Sequence, residues 1–179
     1  MKIFLIGFMG SGKTHWGKRL GTKLNLPFYD LDTVIIEKEN RSVAEIFDEK
    51  GEEYFRYQEK ETLERLAAEQ ESFILSCGGG TPCFFNNIEF MKKNGKVIWL
   101  NTSIDHLTER LKRDRMSRPL ISDMVTDEDL RRYIIKKLSE RRMYYQQADV
   151  TVSEESTNLE ELIHILLQNQ APDRLKEEL

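Results

Sequence analysis

Along this chain of 179 residues, short, mainly apolar runs alternate with longer stretches in which apolar positions recur every three or four residues. The runs occupy residues 2–6, 27–31, 72–77, 96–101 and 149–153. Runs of this kind fit strands buried on both faces, as in a parallel sheet. The stretches at 14–24, 43–68, 104–112, 127–146 and 158–168 predict helices. In the last of them Leu159, Leu162, Ile163, Ile165, Leu166 and Leu167 cluster on one face. Strand and helix in alternation predict one α/β domain over residues 1–179, a five-stranded parallel sheet between two helical layers. Ligands of such a fold gather at the carboxyl ends of the strands.

The first run opens directly into Gly7-Phe8-Met9-Gly10-Ser11-Gly12-Lys13-Thr14, a complete G-x-x-x-x-G-K-[ST] loop. It stands between a predicted strand and a predicted helix, the context this motif requires. Glycine lets the backbone turn its N–H groups inward around a phosphate. The helix that follows points its positive end at the same place. Lys13 can reach the β- and γ-phosphates, and the Thr14 hydroxyl can ligate Mg²⁺. Gly10, Ser11, Gly12, Lys13 and Thr14 are therefore candidate ligands of ATP phosphates.

Charge narrows the partners. Lys and Arg number 27 against 31 Asp and Glu, a net charge of −4, so no basic field invites nucleic acid. A small-molecule partner is expected instead. The two cysteines, Cys77 and Cys83, lack metal-ligand spacing and fit a reduced intracellular protein. No run approaches a membrane span, and the first is broken by Ser11-Gly12-Lys13 without a small-residue cleavage pattern. The expectation is a cytoplasmic protein without a membrane partner. It is expected to be a monomer, since no apolar face is surplus to the core.

Five further stretches carry candidate chemistry. Asp30-Leu31-Asp32 ends a predicted strand, and an i, i+2 pair in extended chain points both carboxylates to one side. One can hold a metal's water shell and the other can meet a substrate hydroxyl. Arg56 and Glu59 are i, i+3 neighbours on a predicted helix; spacing alone fits a fixed arginine fork and a surface ion pair equally. Gly78-Gly79-Gly80 follows a predicted strand and allows a ligand close to the backbone. Arg141 and Arg142 lie on a charge-rich helix and read, by spacing, as solvated surface. The stretch from Arg110 to Asp129 is too polar for a core element. With a phosphate loop upstream, it reads as a mobile arginine-bearing lid.

Together these pieces resemble the shikimate kinase family. The ordered set is Gly7–Thr14, Asp30-Leu31-Asp32, Gly51-Glu52 leading into Phe55-Arg56, Gly78-Gly79-Gly80, Arg118-Pro119-Leu120, and Arg141 ahead of Tyr145 and Ala148-Asp149. The resemblance spans residues 2 to about 168. It implies a P-loop NTPase-type α/β/α fold, nucleoside-monophosphate-kinase-like, with a substrate-binding segment at about 31–60 and a lid at about 110–126. Members of that family transfer the ATP γ-phosphoryl group to the 3-hydroxyl of shikimate. By resemblance, Lys13 contacts the transferred phosphate, Thr14 ligates Mg²⁺ and Asp30 holds it through water. Asp32 binds shikimate hydroxyls and orients or deprotonates the nucleophile. Arg56 and Arg141 grip the shikimate carboxylate, Glu59 steadies Arg56, and Gly78, Gly79 and Gly80 line the pocket. Arg118 reaches the phosphates from the lid, and Arg110 lies near the adenine. ATP and shikimate are the implied partners and Mg²⁺ the implied cofactor.

The chain departs from the family in two places. Met143 stands where a proline is common, and Cys77, read as a small apolar filler, precedes the glycines. Another small-molecule kinase, of gluconate-kinase or adenylate-kinase type, shares the loop and lid but not the combination of Asp32, Arg56, the three glycines and Arg141. A GTPase would carry an Asn-Lys-x-Asp segment, which is missing. A motor ATPase would end a further strand in acidic residues, whereas 72–77 ends in Ser76-Cys77. Intact Lys13, Thr14, Asp30 and Asp32 argue against a catalytically dead regulator.

Overall fold

Five parallel strands form the sheet: β1 (Lys2–Ile6), β2 (Phe28–Asp30), β3 (Phe73–Ser76), β4 (Lys96–Leu100) and β5 (Val150–Val152). Their order is β2-β3-β1-β4-β5. The structure, a computed structural model, describes residues 1–114, 121, 122, 124, 126–153 and 158–168. Among these the helices are α1 (Lys13–Leu24), α2 (Leu31–Glu39), α3 (Val43–Glu69), α4 (Asn87–Asn94), α5 (Ile104–Arg113), α6 (Asp127–Tyr145) and α7 (Leu159–Gln168), with a short 3₁₀ turn at Thr81–Cys83.

The alternation of β1 splits the core in two. Phe4 and Ile6 face a cluster that includes Leu31, Ile35, Leu63, Phe73, Met91, Trp99 and Tyr145. Ile3 and Leu5 face the opposite cluster, built with Trp16, Leu20, Leu162 and Leu166 of α1 and α7. Each large apolar side chain so buried contributes about 1.5–3 kcal/mol. A third cluster lies past the sheet edge, where Phe8 of the phosphate loop meets Leu107, Leu111, Ile121, Leu130 and Ile134. The loop is thereby packed against α5 and α6.

Local signals set the helix ends. Ser42 caps α3, and the Glu45 carboxylate accepts from the Ser42 backbone N–H at 2.7 Å, closing a capping box. Gly51, with φ 82° and ψ 169°, breaks α3 into two helical pieces. The apolar pattern predicts neither α2 nor α4. α4 has eight residues, too few to show a period, and α2 starts where β2 stops, with no intervening loop.

That junction corrects one expectation. Asp30 and Asp32 are not an i, i+2 pair in extended chain. Asp30 is extended (φ −111°, ψ 122°) and caps α2, its side chain accepting from the Thr33 N–H, while Asp32 belongs to the first helical turn. The N-cap preference of Asp wins over strand continuation, because the carboxylate satisfies a first-turn N–H that would otherwise be orphaned.

Candidate active site

The carboxyl ends of β1 and β3 lie side by side, with Leu5 paired to Ser76 and the Cys77 N–H donating to the Leu5 carbonyl at 3.0 Å. The phosphate loop leaves one of these strands and the triple glycine leaves the other. Gly7 and Gly12 hold φ of 143° and 87°, conformations that side chains resist. Gly12 caps α1 without a side-chain hydrogen bond, which leaves first-turn N–H groups for an anion. Lys13 is buried, its Nζ donating to the carbonyls of Gly7 at 2.9 Å and Phe8 at 2.8 Å. The Thr14 hydroxyl donates to Asp30 Oδ2 at 3.0 Å, and Arg110 donates to the Gly10 carbonyl at 3.1 Å. A cavity of about 510 Å³ opens over these groups, a volume suited to a nucleotide. Thr14 and Asp30 bring two hard oxygen donors to its floor. Such a sparse set suits Mg²⁺, which keeps most of its waters.

A second cavity, about 440 Å³, lies beside the first and is lined by Phe47, Phe55, Arg56, Glu59, the three glycines and Arg141. The ambiguity over Arg56 and Glu59 is resolved here, since they are only 6% and 1% exposed. Arg56 donates to Glu59 at 2.7 Å and to Glu52 at 2.9 Å, and lies 4.9 Å from the centre of the Phe84 ring. Thr81 donates to the other Glu59 oxygen at 2.5 Å. Burial pushes the Glu59 carboxyl up from its ordinary value, and Arg56 and Thr81 oppose the shift. A buried ion pair is a poor way to add stability, because desolvation offsets its attraction. Its presence at a cavity wall points to recognition of a ligand instead.

Arg141 is likewise not solvated surface. It is half-buried, its guanidinium stands 5.5 Å from the Phe8 ring centre, and it lines the second cavity, while Arg142 is exposed. Phe8 supplies the face that draws the cation inward. The glycines make room for this convergence. A Cβ on Gly80 would stand 2.8 Å from the Arg56 guanidinium, one on Gly79 3.2 Å from Arg141, and one on Gly78 3.2 Å from Asp32 Oδ1.

Asp32 sits on the seam between the two cavities and lines both. Its Oδ1 is out of contact with solvent and has no hydrogen-bond partner among the described residues. Burial, then the neighbouring charges of Glu59 and Asp30, push its carboxyl from 3.8 up to about 6, against the pull of Lys13 and Arg56. An unpartnered, basic carboxylate between a phosphate cradle and a cavity with two arginines can accept a proton from a bound hydroxyl.

The structure brings Gly10, Gly12, Lys13, Thr14, Asp30, Asp32, Arg56, Gly78, Gly79, Gly80, Arg110 and Arg141 to this double cavity. Ser11 is buried in the loop. Of the lid expected at 110–126, residues 115–120, 123 and 125, Arg118 among them, lie outside the described residues. The sequence reading gives no role to Met9, which lines both cavities, or to Phe84, Thr81 and Tyr145, which hold site groups from behind. Met9 stands in the loop motif and Tyr145 in the ordered set, but only tertiary contact gives these residues a role. Cys77 is buried, its thiol pushed well above the usual range by burial, which makes it a filler rather than a nucleophile.

A parallel sheet with a phosphate loop at the end of β1, joined to a second cavity for a small anionic acceptor, defines a phosphate-loop kinase of small molecules. The family model described as "Shikimate kinase" matches residues 9–170. A shikimate kinase of Azobacteroides pseudotrichonymphae is 39% identical over 166 residues, 93% of this chain and 97% of that protein. The crystal structure of a shikimate kinase from Bacteroides thetaiotaomicron superposes with a TM-score of 0.84 at 39% identity, covering 94% of this chain and 97% of that one. A shikimate kinase from Acinetobacter baumannii, solved in complex with shikimate, gives 0.82 at 30% identity, covering 96% and 95%. The chain belongs to the shikimate kinase family.

Proposed function

We propose that this protein transfers the γ-phosphoryl group of ATP to the 3-hydroxyl of shikimate, giving shikimate 3-phosphate and ADP. The observation that carries the reading is the seam: a cavity walled by two buried or half-buried arginines opens onto the phosphate loop, with Asp32 between them. ATP binds over Gly10–Thr14, its phosphates meeting the loop N–H groups and Lys13, with Arg110 towards the adenine side. Arg56 and Arg141 take the acceptor carboxylate, which suits planar guanidinium forks better than a lysine point charge. Glu59 and Glu52 orient Arg56, and the three glycines bring backbone against the ring.

The acceptor hydroxyl then faces the γ-phosphorus. Asp32 takes its proton as the O–P bond forms and the bond to the β-phosphate bridge oxygen breaks, releasing ADP. Most of the catalysis is alignment and charge neutralisation. Bound Mg²⁺ supplies further neutralisation of phosphate charge; Thr14 would hold it directly and Asp30 through water. In this reading Arg118 closes from the lid onto the phosphates and keeps water out.

The protein acts as a cytoplasmic monomer with ATP and shikimate as its partners, and without nucleic acid or membrane. The net charge of −4 speaks against a nucleic-acid partner; among the described residues no helix is long and apolar enough to cross a membrane. The test is ADP release from Mg-ATP with and without shikimate, with mass detection of the product. Shikimate-dependent ADP and a monophosphorylated acid are expected. ADP release indifferent to shikimate, from folded protein that binds ATP, would refute the reading.

A further inference from the structure

Tyr145 is the last residue of α6 and is wholly buried. Its ring packs on Trp99, with centres 5.8 Å apart, as an ordinary core residue would. Its hydroxyl does something a core residue does not need to do. It donates to the carbonyl of Gly79 at 2.5 Å, across 66 residues of sequence. Gly79 is the middle of the triple glycine, and both cavities are lined by it. On its other side a Cβ at Gly79 would stand 3.4 Å from the backbone nitrogen of Met9, so this glycine is also pressed against the phosphate loop.

Arg141 precedes Tyr145 by four residues, one helical turn, and so shares its face of α6. Burial holds the phenol well above its ordinary range, and the Arg141 charge pulls the other way. The Arg141 guanidinium would stand 3.2 Å from a Cβ on Gly79, so the two residues of this helix face close on the same glycine.

We propose that Tyr145 is a positioning residue of the acceptor site: its hydroxyl ties the glycine strip after β3 to the end of α6, and so sets where Arg141 and the Gly78–Gly80 backbone meet the acceptor. The proposal rests on the shikimate reading above and adds a residue to it. A phenylalanine at 145 would keep the ring, its packing on Trp99 and the fold. It would leave the Gly79 carbonyl without the Tyr145 hydroxyl, and so loosen the glycine backbone against which Arg141 lies. The deficit should therefore fall on acceptor binding and spare the nucleotide.

The experiment compares Tyr145→Phe with the parent enzyme in steady-state ADP release, varying shikimate and ATP separately, with thermal unfolding in parallel. The expected result is a KM for shikimate raised about tenfold, the loss that one well-placed hydrogen bond gives. KM for ATP should stay within twofold, and the melting temperature close to the parent's. A KM for shikimate within twofold of the parent overturns the proposal. So does a rise in both KM values that follows a fall in melting temperature, since that marks a purely structural residue. A parent enzyme with no shikimate-dependent turnover overturns the acceptor reading itself, and this proposal with it.

Discussion

Ionised Asp32 is the least comfortable group in the site, and replacing it with asparagine should make the empty protein more stable while disabling it. The Asp32 carboxyl is pushed from 3.8 to about 6, first by burial and then by Glu59 and Asp30. A gap of about two pH units corresponds to about 3 kcal/mol of preference for the neutral form. The Asp32 side chain as a whole is only half-buried and lines both cavities, where solvent screens part of this, so about 1–3 kcal/mol is the range to expect. The folded protein holds the Asp32 proton more tightly than the unfolded chain does. Stability from this group is therefore greatest below about pH 4, falls as pH rises towards about 6, and stays low above that. An asparagine side chain cannot ionise and escapes the penalty. The measurement is urea unfolding of parent and Asp32→Asn, in EDTA and without nucleotide, at pH 7.5 and pH 4.5. The variant should be more stable by about 1–3 kcal/mol at pH 7.5, worth several degrees in melting temperature. At pH 4.5 the advantage should shrink to about one third. Shikimate phosphorylation should be abolished, with ATP binding nearly intact. A variant no more stable than the parent at pH 7.5, or an advantage that does not shrink at pH 4.5, would refute the reasoning.

Arg56→Lys should raise the KM for shikimate about ten- to a hundredfold, because a point charge cannot serve Glu59, Glu52 and a carboxylate at once. An unchanged KM in the steady-state assay would place the acceptor carboxylate elsewhere. Gly80→Ala should act on the same group from the other side, its Cβ standing 2.8 Å from a guanidinium clamped by two carboxylates. About 1–2 kcal/mol of stability should be lost in urea unfolding, as for other overpacked sites, with KM for shikimate raised and KM for ATP kept. Equal effects on both KM values would argue against this geometry.

What the sequence makes legible depends on the range of the physics involved. The phosphate loop is read in full because its chemistry is local: eight consecutive residues, a strand before them and a helix after. The inner strands β1, β3 and β4 are read because a parallel sheet buries both their faces and writes them as apolar runs. The Asp30-Leu31-Asp32 segment is misread because two local rules compete there. Alternation extends the strand, while an aspartate at the boundary starts a helix, and the cap wins by satisfying the Thr33 N–H. Arg141 is illegible for the opposite reason. α6 is charged almost all round, so nothing along the helix marks one arginine as different from its neighbour. The difference lies in Phe8, 133 positions earlier by sequence number, whose ring draws Arg141 inward and leaves Arg142 in water. Glu59 is chosen in the same way, by Thr81 at a separation of 22 and by the glycine that lets it approach. In the proposed reading the groups that handle phosphate are thus written as a motif, whereas those that handle the acceptor are scattered and meet only in the fold. In that reading substrate choice resides in the second set. The phosphate loop alone therefore gives the reaction class, and the acceptor has to be read from the company Arg56 and Arg141 keep.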